Sequence, residues 1–225
     1  MQLNLTSVFR SSLAGIVTLL LLAHAVAGQR NNSQSPRLQE ILEAEQLLSV
    51  LGYWTGPVDG VLDGGSRHAL IAFQKVEGRK RTGQLTFADL AALRTAVKPL
   101  ARYTGYAHIE IDVERQVLFV VDDSGAVTHI LPVCTGDEQT YIDHGQVHRA
   151  HTPRGQFKVT RKIPGYRLSS LGLLYYPNYI YEGIAIHGSW AMAVIPDSHG
   201  CIRIPMFAAK EFSELVQIGN QVIVF

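Results

Sequence analysis

The sequence predicts an α+β protein, a small three-helix bundle followed by a β-rich sandwich or barrel-like domain with one late helix. Three observations carry this. Leu38, Ile41, Leu42, Leu48 and Leu51 recur near the helical period; the period drops to two at His108-Ile109-Glu110-Ile111-Asp112-Val113; and a single further helical stretch, Phe207 to Val216, precedes a closing strand at Gln221 to Phe225.

Residues 1–27 read as a secretory signal peptide. Arg10 precedes the apolar run Leu13 to Leu22, and Ala25-Val26-Ala27 supplies small residues for cleavage before Gly28. The run is short for a membrane span, which needs about 20 apolar residues, so cleavage is read ahead of a retained anchor. Residues 28–37, polar and without apolar periodicity, form a linker. The first helix then runs to a stop at Gly52, and Gly56-Pro57-Val58-Asp59-Gly60 makes a turn. Ser66 is placed to cap a second helix that buries Ala69, Leu70 and Phe73. Thr86 with Asp89 three residues on is a capping box ahead of Leu90, Leu93 and Val97. Beyond Lys98-Pro99, strands at 108–113, 116–121 and 126–133 are expected as an antiparallel sheet, with further strands at 155–161 and 183–186 and a closing strand at 221–225.

With 225 residues, 47% hydrophobic and 17% charged, the chain can build a packed core. Removing residues 1–27 takes the net charge from +1 to 0, which excludes the basic excess that nucleic-acid phosphates call for. Two cysteines in an exported chain raise the question of a disulfide. Cys134, inside Ile130-Leu131-Pro132-Val133-Cys134, reads as a buried small hydrophobe rather than a bridge. Pairing with Cys201 would silence the residue on which the chemistry turns.

That residue sits in Pro196-Asp197-Ser198-His199-Gly200-Cys201-Ile202-Arg203. A cysteine between a histidine and an arginine is the layout of an activated thiol, because the thiolate is the nucleophile and a neighbouring cation or base raises its share. Upstream, the strand Ile184-Ala185-Ile186 ends in His187-Gly188-Ser189. Acyl transfer needs a nucleophile, a base in hydrogen-bond reach and donors for the developing oxyanion. Cys201 is the candidate nucleophile and His187 the base, with the sulfur expected within a hydrogen bond of the ring. Gly200, lacking Cβ, lets the chain turn and bring the amides of His199, Gly200 and Cys201 toward an oxyanion. His199 supports this loop, and Ser198 is read as a hydrogen-bonder within it. Arg203 shares a strand face with Cys201 and suits a substrate carboxylate. Thr152, Pro153 and Gly155 form a turn on the cleft wall, while Tyr175 and Tyr176 are candidates for the donor pocket, with plain core as the alternative. His144, His148 and His151 beside Asp143 raise a metal site, but Gly145 and Pro153 argue against the helix that would align them. A solvated histidine-rich loop is expected there, with no metal and no cofactor.

Two resemblances follow from these residues. Leu47-Leu48, Leu51-Gly52-Tyr53, Gly56-Pro57-Val58-Asp59-Gly60, Ala69, Phe73-Gln74 and Gly83-Gln84-Leu85 resemble, over residues 38–97, the helical peptidoglycan-binding module of cell-wall enzymes. Thr152-Pro153-Arg154-Gly155-Gln156-Phe157, Ile186-His187-Gly188-Ser189, Ser198-His199-Gly200-Cys201-Ile202-Arg203 and Gly219-Asn220-Gln221-Val222-Ile223-Val224 resemble, over residues 105–225, the L,D-transpeptidase catalytic domain of the YkuD type. The ten residues between His187 and Ser198 are few for that family, which puts the length of the active-site loop in question. The resemblance implies that the Gly188 carbonyl orients the His187 ring. It implies attack by Cys201 on a peptidoglycan stem tetrapeptide, loss of the terminal D-alanine, and a thioester resolved by the amine of a second stem. Resolution by water or by an anchored protein, and a noncatalytic wall-binding role, remain as alternatives. The implied setting is the periplasm or cell wall, with no stable membrane association after cleavage and no nucleic-acid partner.

Overall fold

The computed structural model describes residues 37–225; the signal peptide and most of the linker read from the sequence lie outside the described residues. The described residues form one compact unit. Three helices come first: α1 (Leu38–Val50), α2 (Gly64–Val76) and α3 (Phe87–Thr95). The Thr86 hydroxyl and the Asp89 carboxylate satisfy each other's backbone N–H groups at the start of α3, the capping box the spacing predicts. The cap of α2 is a correction. Asp63, not Ser66, accepts the orphan amide, with its Oδ1 2.9 Å from Ser66 N, and Ser66 is instead buried with its hydroxyl on Glu45.

The strands follow: β1 (His108–Asp112), β2 (Val117–Val121), β3 (Val127–Pro132), β4 (Thr140–Asp143), β5 (Gln146–Arg149), β6 (Gly155–Lys158), β7 (Arg161–Lys162), β8 (Tyr166–Ser169), β9 (Gly172–Tyr181), β10 (Ile184–Ser189) and β11 (Ile202–Pro205). Helix α4 (Met206–Leu215) and strand β12 (Gln221–Val224) close the chain. They form a five-stranded sheet in the order β3-β2-β1-β12-β6, a second in the order β11-β10-β9-β7 with β8 also on β9, and a β4–β5 ribbon. The antiparallel pairing expected across 108–133 forms, β1 on β2 and β2 on β3, while β1 with β12 and β10 with β11 pair in parallel.

Ile111, Leu118, Leu131, Val222, Ile186, Ile202 and Phe212 bury one core between the two sheets and α4. The other face of the first sheet, carrying Val117, Phe119, Val121 and Ile130, is covered by Leu48, Leu70, Phe73 and Leu90 of the helices. That is why β2 reads Val-Leu-Phe-Val-Val: with both faces dry, each position favours an apolar side chain. Among the described residues no helix is long and apolar enough to cross a membrane.

Candidate active site

Parallel pairing of β10 with β11 sets Ile186 opposite Ile202 and His187 opposite Arg203. Successive strand residues alternate faces, so Ile186, Ile202 and Ile204 enter the core while Ala185, His187 and Arg203 point to the other side. Cys201, one residue ahead of β11, falls on that same side, diagonal to His187. His187, Ser198, His199, Cys201 and Arg203 all line one cleft of about 420 Å³. The remaining predicted residues divide. Gly188 and Gly200 are not among the lining residues, and their carbonyls accept from His187 Nδ1 and Thr152 Oγ1, respectively. Tyr175 and Tyr176 are not among the residues that line it; their rings pack on each other at 4.7 Å, and Tyr175 also packs on Tyr166 and against the hydrophobic core.

The His187 ring is 5% exposed, with Nδ1 2.9 Å from the Gly188 carbonyl oxygen. A carbonyl only accepts, so Nδ1 carries the proton and Nε2 keeps its lone pair toward the cleft. Burial pushes the pKa down to about 4, against the Gly188 hydrogen bond and with help from the Arg203 charge, so the ring is neutral at pH 7. Gly188 cannot be replaced, because a Cβ there would stand 2.6 Å from the Ala209 methyl.

Cys134 and Cys201 are both free thiols. The Cys201 hydrogen bond runs to the Gly183 carbonyl at 3.7 Å rather than to His187, which differs from the expected contact. Burial raises its pKa; the Ala185 amide and the Arg203 charge oppose that without overcoming it. The resting site is therefore a neutral thiol beside a neutral imidazole and not a preformed ion pair.

Hydrogen bonds fix the loop that carries the thiol. Ser198 Oγ donates to Cys201 O at 2.6 Å and accepts from Gly200 N at 3.0 Å. Thr152 Oγ1 donates to Gly200 O at 2.7 Å and accepts from Gly136 N at 2.9 Å. Gly200 holds φ +126°, and a Cβ would meet His151 O at 2.8 Å, so close approach as well as conformation demands glycine. Arg203 Nη1 donates to Asp197 O at 3.1 Å and Ala191 O at 3.4 Å, leaving further guanidinium donors for a ligand.

Several wall residues escaped the sequence reading, among them Leu171 and Leu173 of the β8–β9 hairpin and Tyr141. Tyr141 on β4 lines the cleft and meets the exposed His199 ring edge-to-face at 4.6 Å, with His148 stacked on it at 5.5 Å. The histidine-rich stretch is thus a β-hairpin, β4 paired with β5, not the expected loop. His148 stacks on Tyr141 and His151 bonds Glu138 at 2.8 Å, so the histidines diverge. Among the described residues no three His, Cys, Asp or Glu side chains converge as a metal site would require.

A two-sheet domain with these motifs at one cleft, behind a three-helix domain, defines a class of cell-wall enzyme. Residues 106–224 match the L,D-transpeptidase catalytic domain family, YkuD, and residues 37–93 match a putative peptidoglycan binding domain. Among solved structures, the L,D-transpeptidase of Xylanimonas cellulosilytica is 34% identical with a TM-score of 0.79, covering 83% of this chain and 93% of that one. That of Stackebrandtia nassauensis is 22% identical with a TM-score of 0.48, covering 85% and 92%. Among curated proteins there is no match. The chain belongs to the L,D-transpeptidase family.

Proposed function

We propose that the chain is an exported cysteine transpeptidase of the cell envelope that cross-links peptidoglycan through a thioester. The observation that carries this is the β10–β11 register, which sets the His187 ring, lone pair available at Nε2, on the cleft face that Cys201 shares. As the thiol attacks the carbonyl of the third stem residue, its proton passes to Nε2, and the C–S bond forms. The imidazolium is stabilised by the Gly188 carbonyl and returns the proton to the departing D-alanine amine as the C–N bond breaks. An acceptor amine of a second stem then attacks the thioester, gives its proton to His187 and releases the thiol. Gly200 N is engaged by Ser198, so the amides of His199 and Cys201 are the remaining donors for the oxyanion. Arg203 grips a donor carboxylate, and the helical domain holds the enzyme on its polymer, raising local concentration.

Purified muropeptides test this. Wild-type enzyme is expected to yield a cross-linked dimer, and Cys201→Ala none. A trimmed tripeptide alone would assign hydrolysis, and equal turnover by Cys201→Ala would remove the thiol from the mechanism.

A further inference from the structure

Lys75 lies in the last turn of α2 and is 1% exposed. Lysine is almost never fully buried unless partnered, and its partners are remote in sequence. Nζ donates to Gln116 O at 3.1 Å and to Val133 O at 2.8 Å, carbonyls where β2 begins and β3 ends. Burial, reinforced by the Arg81 charge and opposed by Cys134, lowers its pKa to about 7. Even the neutral amine keeps two N–H donors, one for each carbonyl.

Those carbonyls anchor the segment on which the Cys201 loop rests. After Val133, Cys134 exchanges backbone bonds with Arg203, N to O at 3.1 Å and O to N at 3.0 Å. Thr135 O accepts from Asp197 N at 3.0 Å and Ser198 N at 2.9 Å. The Gln116 side chain clamps Thr135 from below, with Nε2 2.6 Å from Thr135 Oγ1 and Oε1 3.0 Å from Thr135 N. Gln116 itself sits at φ +62°, a conformation that a non-glycine residue keeps only when its surroundings over-determine it. Its carbonyl is held twice, by Lys75 Nζ and by Val133 N at 2.9 Å. A second strut leaves the same helical domain: Arg81 Nη1 donates to Val194 O at 3.1 Å. Val194 lies in the 190–197 segment, whose Ala191 and Asp197 carbonyls take the Arg203 guanidinium.

We infer that Lys75, with Arg81 as a second strut, is a positioning residue for the Cys201 loop, so that the helical domain is part of the active-site scaffold as well as its tether. This rests on Cys201 being the nucleophile. A bed displaced by a fraction of an ångström misaims the sulfur and slows its attack while leaving the cleft that binds substrate in place.

The test uses the full chain with Lys75→Met, Arg81→Ala and wild type, each incubated with a stem-tetrapeptide donor and followed by intact-protein mass spectrometry. The saturating rate of Cys201 acylation and the donor concentration at half-saturation are read separately, and the end-point adduct counts competent sites, so misfolded protein lowers the end point and not the rate. Lys75→Met is expected to reach the wild-type end point roughly 10- to 100-fold more slowly with half-saturation nearly unchanged, and Arg81→Ala to slow it several-fold. Wild-type rates in both variants, with only thermal stability reduced, would overturn the inference and leave these residues as domain glue. Should Lys75→Met not fold, Arg81→Ala decides, an unchanged rate counting against the scaffold. Failure of wild-type Cys201 to acylate at all would instead overturn the nucleophile assignment itself.

Discussion

The two sheets share one core and differ in what covers their far sides. The first is dry on both faces, with Leu118 and Leu131 inward and Phe119 and Ile130 under the helices. The second buries Ile186, Ile202 and Ile204 on one side and gives His187, Cys201 and Arg203 to the cleft on the other. Cohesion therefore concentrates in one sheet and reactivity in the other. The cost of placing polar groups on a sheet is met where it aligns the reacting atoms, with each buried polar group hydrogen-bonded.

Substitutions that separate the sheets sharpen this contrast. The largest effect is expected at His187: His187→Ala removes the proton acceptor and should lower the acylation rate by roughly 10²- to 10⁴-fold. His199→Ala, an exposed ring against Tyr141, should lose far less in the same adduct assay, and equal losses would mean the two histidines have exchanged roles.

On the other sheet, Phe119→Ala empties a fully covered site and should cost about 3–5 kcal/mol by denaturant titration, with the half-saturating donor concentration unchanged. A cost below about 1 kcal/mol would show that the helices do not seal that face.

The third effect crosses from reactivity to stability. His187 holds a folded pKa of about 4 against an ordinary 6.5, so folding favours the neutral ring. Its contribution is complete above pH 6.5 and is lost as pH falls toward 4, where the unfolded chain takes up the proton first. The loss comes to about 3 kcal/mol, at 1.36 kcal/mol per unit. Wild type should therefore lose that much more stability than His187→Gln between pH 7 and pH 4, and parallel curves would show the ring to be solvated.

Legibility followed the range of the physics. Helices α1 to α4 were visible because helical period and caps are local, and even the error at Ser66 was a shift of three residues between two good capping side chains. Strand β9 hid behind Pro177, which argues against a strand interior; the chain accommodates it beside Tyr176 at φ +47°, where the pairing with β10 shifts register. Strands β4, β5 and β8 were missed because they are exposed or nearly so, and without a buried face no apolar alternation marks them.

What the sequence by itself determined is the pair of domains and the chemical types at the cleft, since periodicity and the run from Ser198 to Arg203 are written in neighbouring residues. Tertiary structure alone decided that β10 and β11 run parallel, that the resting thiol faces Gly183, that His187 is neutral, and that Lys75 is buried under the loop. Each depends on groups far apart along the chain, whose register and desolvation exist only once the core has closed around them.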